Sequence, residues 1–194
     1  HIPNKGILNK ISNKIQNVNT DLIIFSDFRH GIFNDISIKL YCKNIKKNVI
    51  KVADSQVSNR WGNILDFKKF DLLLPNEKEA RFSLGDQDGS VRTLGTKLIS
   101  QSKSKNVILK LGDKGIMSFK KKGIHPREFF PLETFAKNLV DGIGAGDAML
   151  ASSSLAFVCS KNLLISSIIG NLSAAIACEQ SGNLPININE IKKR

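Results

Sequence analysis

The sequence has few of the residues that mark a disulfide-stapled or zinc-binding protein, and it has no long apolar run. Its three cysteines, at 42, 159 and 178, show no C-x-x-C spacing, which argues against a disulfide framework and against a thiolate zinc site. Its three histidines are too dispersed for a zinc site. No stretch reaches the roughly 18 to 20 apolar residues of a membrane span, and the start has no secretory h-region. We therefore expect a protein of the reducing cytoplasm with no membrane partner.

Positive charge is present in excess. The chain has 29 Lys and Arg against 17 Asp and Glu, a net charge of +12. Such a balance attracts nucleic acid, anionic membrane or phosphorylated small molecules. The lysines are scattered through the chain and do not cluster with aromatic residues on one element, as a nucleic-acid footprint should. The general richness in Lys, Asn and Ile favours a compositional bias, so a nucleic-acid partner is not expected.

The order of apolar segments predicts an α/β protein. With 194 residues and 41% hydrophobic content, the chain is the size of one domain. Helical patterns alternate with buried strands, which indicates a doubly wound sheet with flanking helices. The predicted parallel strands are 21–26, 49–53, 70–74 and 106–111. The predicted helices between them are 32–45, 76–84 and 90–102, the last with Ser90 as its N-cap. Two short strands, 115–120 and 125–130, and two packed helices, 148–159 and 163–180, complete the prediction.

The first 20 residues predict a separate element. Their apolar positions recur at helical spacing, as in one amphipathic helix. The first residue is His rather than Met, so we expect the chain to begin inside a longer gene product. We interpret residues 1–20 as a truncated connector helix and residues 21–194 as the domain that follows it.

A glycine-rich turn at 141–147, with the sequence D-G-I-G-A-G-D, precedes the helix predicted from Ala148. Backbone N–H groups of Gly144, Ala145 and Gly146 at a helix N-terminus bind anions and can cradle a phosphoryl group. Asp147 at the same place would repel phosphate, so its presence makes sense if it accepts a proton from an attacking hydroxyl. The alternative is an ordinary turn with an acidic residue in the first helical turn.

The glycine turn fits neither of the common nucleotide motifs. A G-x-G-x-x-G fingerprint would need Gly at position 147, and no acidic residue lies near position 161 to hold a ribose. The Gly-Lys-Ser/Thr ending of a P-loop is absent as well.

Asn76 and Glu79 follow the third predicted strand and share one helix face. Their oxygens suit Mg²⁺, which proteins normally hold through waters and substrate phosphates. Asn at an N-cap with Glu three residues later is also a capping box, and the two interpretations remain open from these residues alone.

The sequence K-L-G-D-K-G at 110–115 follows the fourth predicted strand. Two glycines around Asp-Lys are typical of a simple hairpin and need no ligand to explain them. A loop that flanks a nucleotide is the second interpretation. Asp54 also follows a predicted strand, at the edge where α/β sheets place ligands.

These motifs together resemble a known family. D-G-I-G-A-G-D resembles the D-T-x-G-A-G-D signature of ribokinase (pfkB) family carbohydrate kinases, with Gly142 in place of the usual Thr, and N-E-K-E at 76–79 resembles that family's N-x-x-E motif. The resemblance implies a ribokinase-like fold that binds ATP and Mg²⁺ and transfers the γ-phosphoryl group to a sugar hydroxyl. It further implies that Asp147 is the catalytic base and that Asp141 supports the phosphate and magnesium region. The implied anion hole is Gly144, Ala145 and Gly146.

The same resemblance implies roles for the remaining motifs. Asn76 and Glu79 hold magnesium through water. The nucleotide is contacted by Lys110, Gly112, Gly115 and Asn171. S-D-F-R-H-G at 26–31 is similar to the S-D-Y-x-K-G element of heptose 7-phosphate kinase-like members, although His30 replaces the usual Lys.

The resemblance covers residues 21 to about 185, and it implies that the N-terminal portion with the lid and most sugar contacts is missing. The expected partners are a nucleotide and a small sugar or sugar phosphate, and a homodimer is a further assembly to consider. A different class of function stays open. The chain could be a noncatalytic nucleotide-sensing or interaction domain that keeps the kinase scaffold, and binding of nucleotide without turnover would indicate it.

Overall fold

The computed structural model describes residues 4–56, 63–121 and 128–194. Helices and strands alternate through its first two thirds, and helices follow to the end. The elements are α1 (Lys5–Asn17), β1 (Leu22–Asp27), α2 (Asp35–Asn44), β2 (Ile50–Ser55), β3 (Leu72–Leu73), α3 (Glu77–Leu84), α4 (Val91–Ser102), β4 (Asn106–Lys110), β5 (Ile116–Lys120), β6 (Glu128–Leu132), α5 (Ala145–Ser160), α6 (Leu163–Cys178) and α7 (Ile188–Lys192). Short 3-10 turns lie at Ile64–Asp66 and Gly112–Lys114.

The six strands form one sheet in the order β1-β2-β3-β4-β5-β6. The first four are parallel, and β5 and β6 add an antiparallel extension. The carboxyl ends of β1 to β4 therefore meet at one edge of the sheet. The parallel set and the antiparallel extension agree with the order predicted from the apolar segments.

Two apolar cores cover the two faces of the sheet. Successive residues of each parallel strand point to opposite faces, so Ala53 and Leu73 enter one core while Val52 and Leu72 enter the other. The first core packs against α1 to α4, and the second packs against α5 and α6. The predicted sheet with helices on both faces is confirmed, and its second helical layer comes from the C-terminal pair.

Local signals explain most helix starts. Ser90 caps α4 as predicted, its side chain accepting from the backbone N–H of Thr93 at 3.2 Å. The helix predicted from Ala148 instead begins at Ala145, because Gly144 takes a left-handed conformation with φ 82° and acts as the N-cap. The glycine turn is thus the first turn of α5. Of the last predicted strand, residues 125–127 lie outside the described residues, and β6 extends to Leu132.

The close packing of α5 on α6 depends on small residues. Ser153 donates its hydroxyl to the Ser166 carbonyl at 3.1 Å, and Ser166 donates back to the Ser153 carbonyl at 2.8 Å. Gly170 lies opposite Ser153, so that a Cβ there would overlap the serine hydroxyl oxygen. These contacts fix α5 against α6.

The cysteines at 42, 159 and 178 are free thiols. In the described parts of the chain, no helix combines the length and the apolar character that crossing a bilayer requires.

We expect Gly170→Ala to destabilise the protein by about 1–3 kcal/mol, because the added methyl group overpacks the α5–α6 contact. The matched control is Gly6→Ala, since a Cβ at that helical glycine would lie at an ordinary 3.6 Å from Asn4 Oδ1. The control should be neutral or stabilising by up to about 1 kcal/mol. Urea denaturation of both variants measures the difference. Equal free energies of unfolding for the two variants would contradict this account of the packing.

Candidate active site

Two adjoining recesses lie at the carboxyl edge of the parallel strands. The smaller has a volume of about 310 Å³, and the larger, of about 450 Å³, extends toward α6. Four residues line both, namely Asn76, Lys110, Gly142 and Gly146. Asp54, Glu79, Gly144 and Asp147 line the smaller recess, and Gly112, Gly115, Ala145 and Asn171 line the larger. The structure thus brings together every predicted site residue except Asp141, which lines neither recess.

The amino end of α5 faces these recesses without a side-chain cap. In the other six α-helices of the described residues, an Asn or Ser side chain accepts a backbone N–H of the first turn. The N-cap of α5 is Gly144, which has no side chain to do so. The Ala145 N–H makes a long 3.4 Å contact with the Gly142 carbonyl, so the N–H groups of the first turn and the positive end of the helix dipole can still interact with an anion.

Lys110 and Asp54 form a buried ion pair at the floor of the smaller recess. Lys110 Nζ lies 2.7 Å from Asp54 Oδ2, and the two side chains are only 13% and 7% exposed. Asp54 Oδ1 also accepts the backbone N–H of Ser55 at 3.0 Å. A Cβ at Gly146 would lie 3.7 Å from Lys110 Nζ, so the ammonium group sits directly beside the first turn of α5. The Lys110 ammonium group therefore lies next to the position that an anion bound at the amino end of α5 would occupy.

Asp147 lies in the first turn of α5 and is partly buried beside this pair. Burial raises the pKa of its carboxyl above the ordinary 3.8, the negative charge of Asp54 raises this pKa further, and Lys110 lowers it. A carboxylate with a raised pKa binds a proton more strongly, and is therefore a better proton acceptor, than an exposed carboxylate with an ordinary pKa. The sequence predicted Asp147 as a base, and its surroundings suit that role.

Asn76 and Glu79 form a complete capping box. Asn76 Oδ1 accepts the Glu79 N–H at 2.8 Å, and the two Glu79 carboxylate oxygens accept the backbone and side-chain N–H groups of Asn76, each at 2.7 Å. The capping interpretation is thus realised, and both residues line the smaller recess as well. Because these oxygens already accept hydrogen bonds, the geometry suits a cation held through water better than direct ligation.

The larger recess has a partly apolar lining. Its walls include apolar atoms of Leu139, Met149, Ala174 and Ala175. Asn171 is buried on α6 and donates to the Glu133 carbonyl at 2.7 Å, which fixes the segment after β6 as one wall. Gly115, with φ 81°, packs so tightly against the backbone of 132–134 that no side chain fits there. The hairpin interpretation of 110–115 is realised, and the hairpin itself forms part of the recess.

Asp141 ties loops together beside the site. Its carboxylate accepts the N–H of Ile143 at 2.9 Å and the N–H of Gly182 at 3.3 Å. Its predicted role toward phosphate and magnesium stays a prediction.

The S-D-F-R-H-G segment ends β1 at the same edge. Arg29 has a left-handed φ of 62°, and its guanidinium lies 2.6 Å from Asp27 Oδ2. Ser55 donates to the same carboxylate at 3.0 Å, which links this loop to the end of β2.

The pairing of Asp54 with Lys110 is the feature that sequence reasoning missed. The two residues are 56 positions apart, and no local pattern connects them. The available signal was their shared position at the ends of parallel strands, since strand ends meet at one edge.

Comparison with known proteins agrees with this geometry. The pfkB family carbohydrate kinase pattern matches residues 37–188. The chain is 27% identical to the bifunctional protein HldE of a Nitratiruptor species, over 89% of the chain and 35% of that protein. The chain therefore spans about a third of the length of the curated relatives it matches.

Solved structures confirm the predicted ribokinase-like fold. Phosphofructokinase-2 from Escherichia coli in complex with potassium superposes with a TM-score of 0.81 at 15% identity, covering 99% of this chain and 62% of that one. A ribokinase from Arabidopsis thaliana complexed with ribose and ATP gives 0.73 at 21% identity, covering 99% and 59%.

The raised pKa of Asp147 predicts a pH-dependent effect of Asp147→Asn. Because the folded protein holds this proton more tightly than the unfolded chain, the carboxyl contributes stability at low pH that is lost as pH rises through 3.8 and above. The free energy of unfolding of Asp147→Asn, relative to wild type, should therefore increase between pH 3 and pH 7. Urea denaturation across this range measures it, with Asp88→Asn as the exposed control. A difference that stays constant or falls with pH would contradict the assignment.

Proposed function

The chain belongs to the pfkB family of carbohydrate kinases, and on that premise we propose that residues 21–194 form the nucleotide-binding, catalytic half of an ATP-dependent kinase. The kinase transfers the γ-phosphoryl group of ATP to a hydroxyl of a sugar or sugar phosphate. The observation that carries the proposal is the meeting of the uncapped α5 terminus, Lys110 and Asp147 in one recess.

The two recesses suit the two ends of ATP. The apolar walls of the larger one fit an adenine ring and ribose, with Asn171 and Gly115 at its boundary. The residues shared with the smaller recess include Lys110 and Gly146, which would lie along the phosphates. The γ-phosphoryl group would then reach the first turn of α5, where Gly144, Ala145 and Gly146 provide the anion hole.

The charge of the smaller recess supports Mg²⁺ as the partner of ATP. Three carboxylates, on Asp54, Glu79 and Asp147, face one ammonium group, a formal charge of −2 when all are ionised. Free ATP would be repelled by such a site, whereas a divalent cation on its phosphates removes the repulsion. Asn76 and Glu79 fit this cation through water, since their oxygens are already hydrogen-bonded.

The chemistry assigned to Asp147 is proton removal. The acceptor hydroxyl oxygen forms a bond to the γ-phosphorus while the bond from that phosphorus to the β–γ bridging oxygen breaks, and the hydroxyl proton moves to the Asp147 carboxylate. Lys110 and the backbone N–H groups of α5 stabilise the charge on the transferring group. The raised pKa of Asp147 brings its proton affinity closer to that of the hydroxyl it must deprotonate.

We favour a phosphorylated sugar as the acceptor. The S-D-F-R-H-G segment resembles the corresponding element of heptose 7-phosphate kinase-like members, and the chain is similar to proteins named HldE. Arg29 lies at the end of β1, on the edge of the sheet that holds the recesses. A guanidinium group at this edge suits recognition of a phosphate.

Gly146→Ala should weaken MgATP binding at least tenfold while leaving the fold intact. The added methyl group enters the space before Lys110, yet it meets only an ordinary 3.7 Å contact, and alanine favours the helix. Titration calorimetry of the chain with ATP, with and without magnesium, measures this, and Gly6→Ala is the control. Wild-type binding that needs no magnesium, or equal binding by the Gly146→Ala variant, would count against the proposed phosphate site.

Asp147→Asn should bind MgATP and lose turnover. Removing a general base typically costs about 10²–10⁴-fold in kcat. The assay is sugar-dependent ADP release by the full gene product, with a panel of sugars and sugar phosphates and Asp88→Asn as control. Turnover at the wild-type rate in the variant would refute the base assignment. Nucleotide binding without turnover of any acceptor in the wild type would favour the noncatalytic sensor instead.

A further inference from the structure

A second cleft lies at the opposite edge of the sheet, where the parallel strands begin. It has a volume of about 360 Å³ and lies among the loop after α2 and the residues that start β2 and precede β3 and β4. The proposed ATP site lies at the other end of these strands. Lys105, just before β4, and Lys110, at the end of β4, are about 16 Å apart at strand spacing. Six lysines line the cleft, namely Lys43, Lys46, Lys47, Lys51, Lys69 and Lys105.

The cleft holds far more positive than negative charge. Asp71 is the single acidic residue among the described residues that line it, which leaves a formal charge of +5 among them. Asp71 is already engaged, because Oδ1 lies 2.7 Å from Lys105 Nζ and Oδ2 accepts the Lys51 N–H at 2.8 Å. Among the described residues, the other four exposed lysines of the cleft form no ion pair with a carboxylate.

This arrangement works against folding stability. Like charges gathered in one concavity repel one another, and a concave surface concentrates their potential. The negative end of the α2 dipole accounts for Lys43, which lies in its last turn. It does not account for Lys69, which comes from the other side of the cleft. Lys69 has a left-handed φ of 60°, and its backbone N–H is held by the Ser102 carbonyl at 2.8 Å.

We propose that this cleft binds a compact polyanion of the oligophosphate class, at a site separate from the proposed ATP site. Lysines from three separate chain segments surround it, so a small ligand contacts them together, as a point-charge phosphate site requires. Among the residues that the structure describes, no aromatic side chain lines the cleft, so these residues offer no stacking platform for single-stranded nucleic acid. Its concave shape disfavours a flat anionic membrane.

The test uses inorganic tripolyphosphate, titrated by calorimetry into the chain at low salt. The variant Lys46→Gln/Lys69→Gln should bind it roughly tenfold more weakly, since each exposed charge contact is worth up to a factor of about five. The control Lys161→Gln/Lys192→Gln removes the same charge from exposed lysines outside the cleft and should keep wild-type affinity. Binding should also weaken as salt is raised to about 0.1 M and above.

Two further measurements keep the outcome unambiguous. Gly146→Ala should retain tripolyphosphate binding at the cleft even if MgATP binding is lost, which separates this site from the proposed ATP site. The melting temperature of Lys46→Gln/Lys69→Gln should equal or exceed that of wild type, because repulsion is relieved.

Three results would overturn the proposal. The first is absence of tripolyphosphate binding by the folded wild type. The second is an equal loss of tripolyphosphate affinity in Lys46→Gln/Lys69→Gln and in the control Lys161→Gln/Lys192→Gln. The third is binding of a single-stranded oligonucleotide or of phosphatidylglycerol vesicles, but not of tripolyphosphate, in a manner that depends on Lys46 and Lys69.

Discussion

The ion pair between Lys110 and Asp54 connects the ends of two strands that are not neighbours in the sheet. β3 lies between β2 and β4 and spans two residues, and the pairing continues beyond it, since the Leu74 N–H donates to the Ala53 carbonyl at 3.0 Å. Lys110 N–H then donates to the Pro75 carbonyl at 2.9 Å while its side chain reaches Asp54. Losing one partner of such a buried pair typically costs about 3–5 kcal/mol, because the other charge stays buried without compensation.

The rest of the site is built around that pair. Asn76, held next to Lys110 by a parallel bridge, begins α3 and carries the capping box with Glu79. From the other face of the sheet, α5 brings its uncapped amino end and Asp147 to the same point, and the serine and glycine contacts with α6 hold it there. The positive end of a helix, one ammonium group and three carboxylates thus meet within a single recess, whose formal charge is −2 when all three carboxylates are ionised. Removing any one of these groups changes the electrostatic environment of the others. The pKa of Asp147 is an example, because the charge of Asp54 raises it and that of Lys110 lowers it.

Local sequence patterns were sufficient to predict much of this architecture. Apolar runs and cap residues such as Ser90 predicted the sheet and most helices, because buried strands and helix starts depend on nearby residues. The start of α5 was placed three residues too late, since glycines are typical of a turn and only the φ of Gly144 shows that it is a cap. Asn76 and Glu79 left two interpretations open because capping and water-mediated cation binding use the same oxygens. The Lys110–Asp54 contact had no local signal at all, since the topology of the sheet creates it.

The recess at the carboxyl ends of the parallel strands has a net negative charge, whereas the cleft at their amino ends has a net positive charge. This difference fits the different ligands proposed for the two sites. A site that transfers a phosphoryl group must release its product. In the proposed ATP site, Lys110 is already paired with Asp54 and the net charge is negative. These charges suit an anion that binds together with a metal ion and then dissociates. The opposite cleft has a single carboxylate, Asp71, within the described part of the chain, and that carboxylate is engaged by the Lys51 backbone N–H and the Lys105 ammonium group. Its other four lysines, at 43, 46, 47 and 69, are exposed and repel one another, and an anion bound in the cleft would offset that repulsion. The net charge of +12, which the sequence showed only as a scattered excess, thus has a concentrated part at a defined place in the fold.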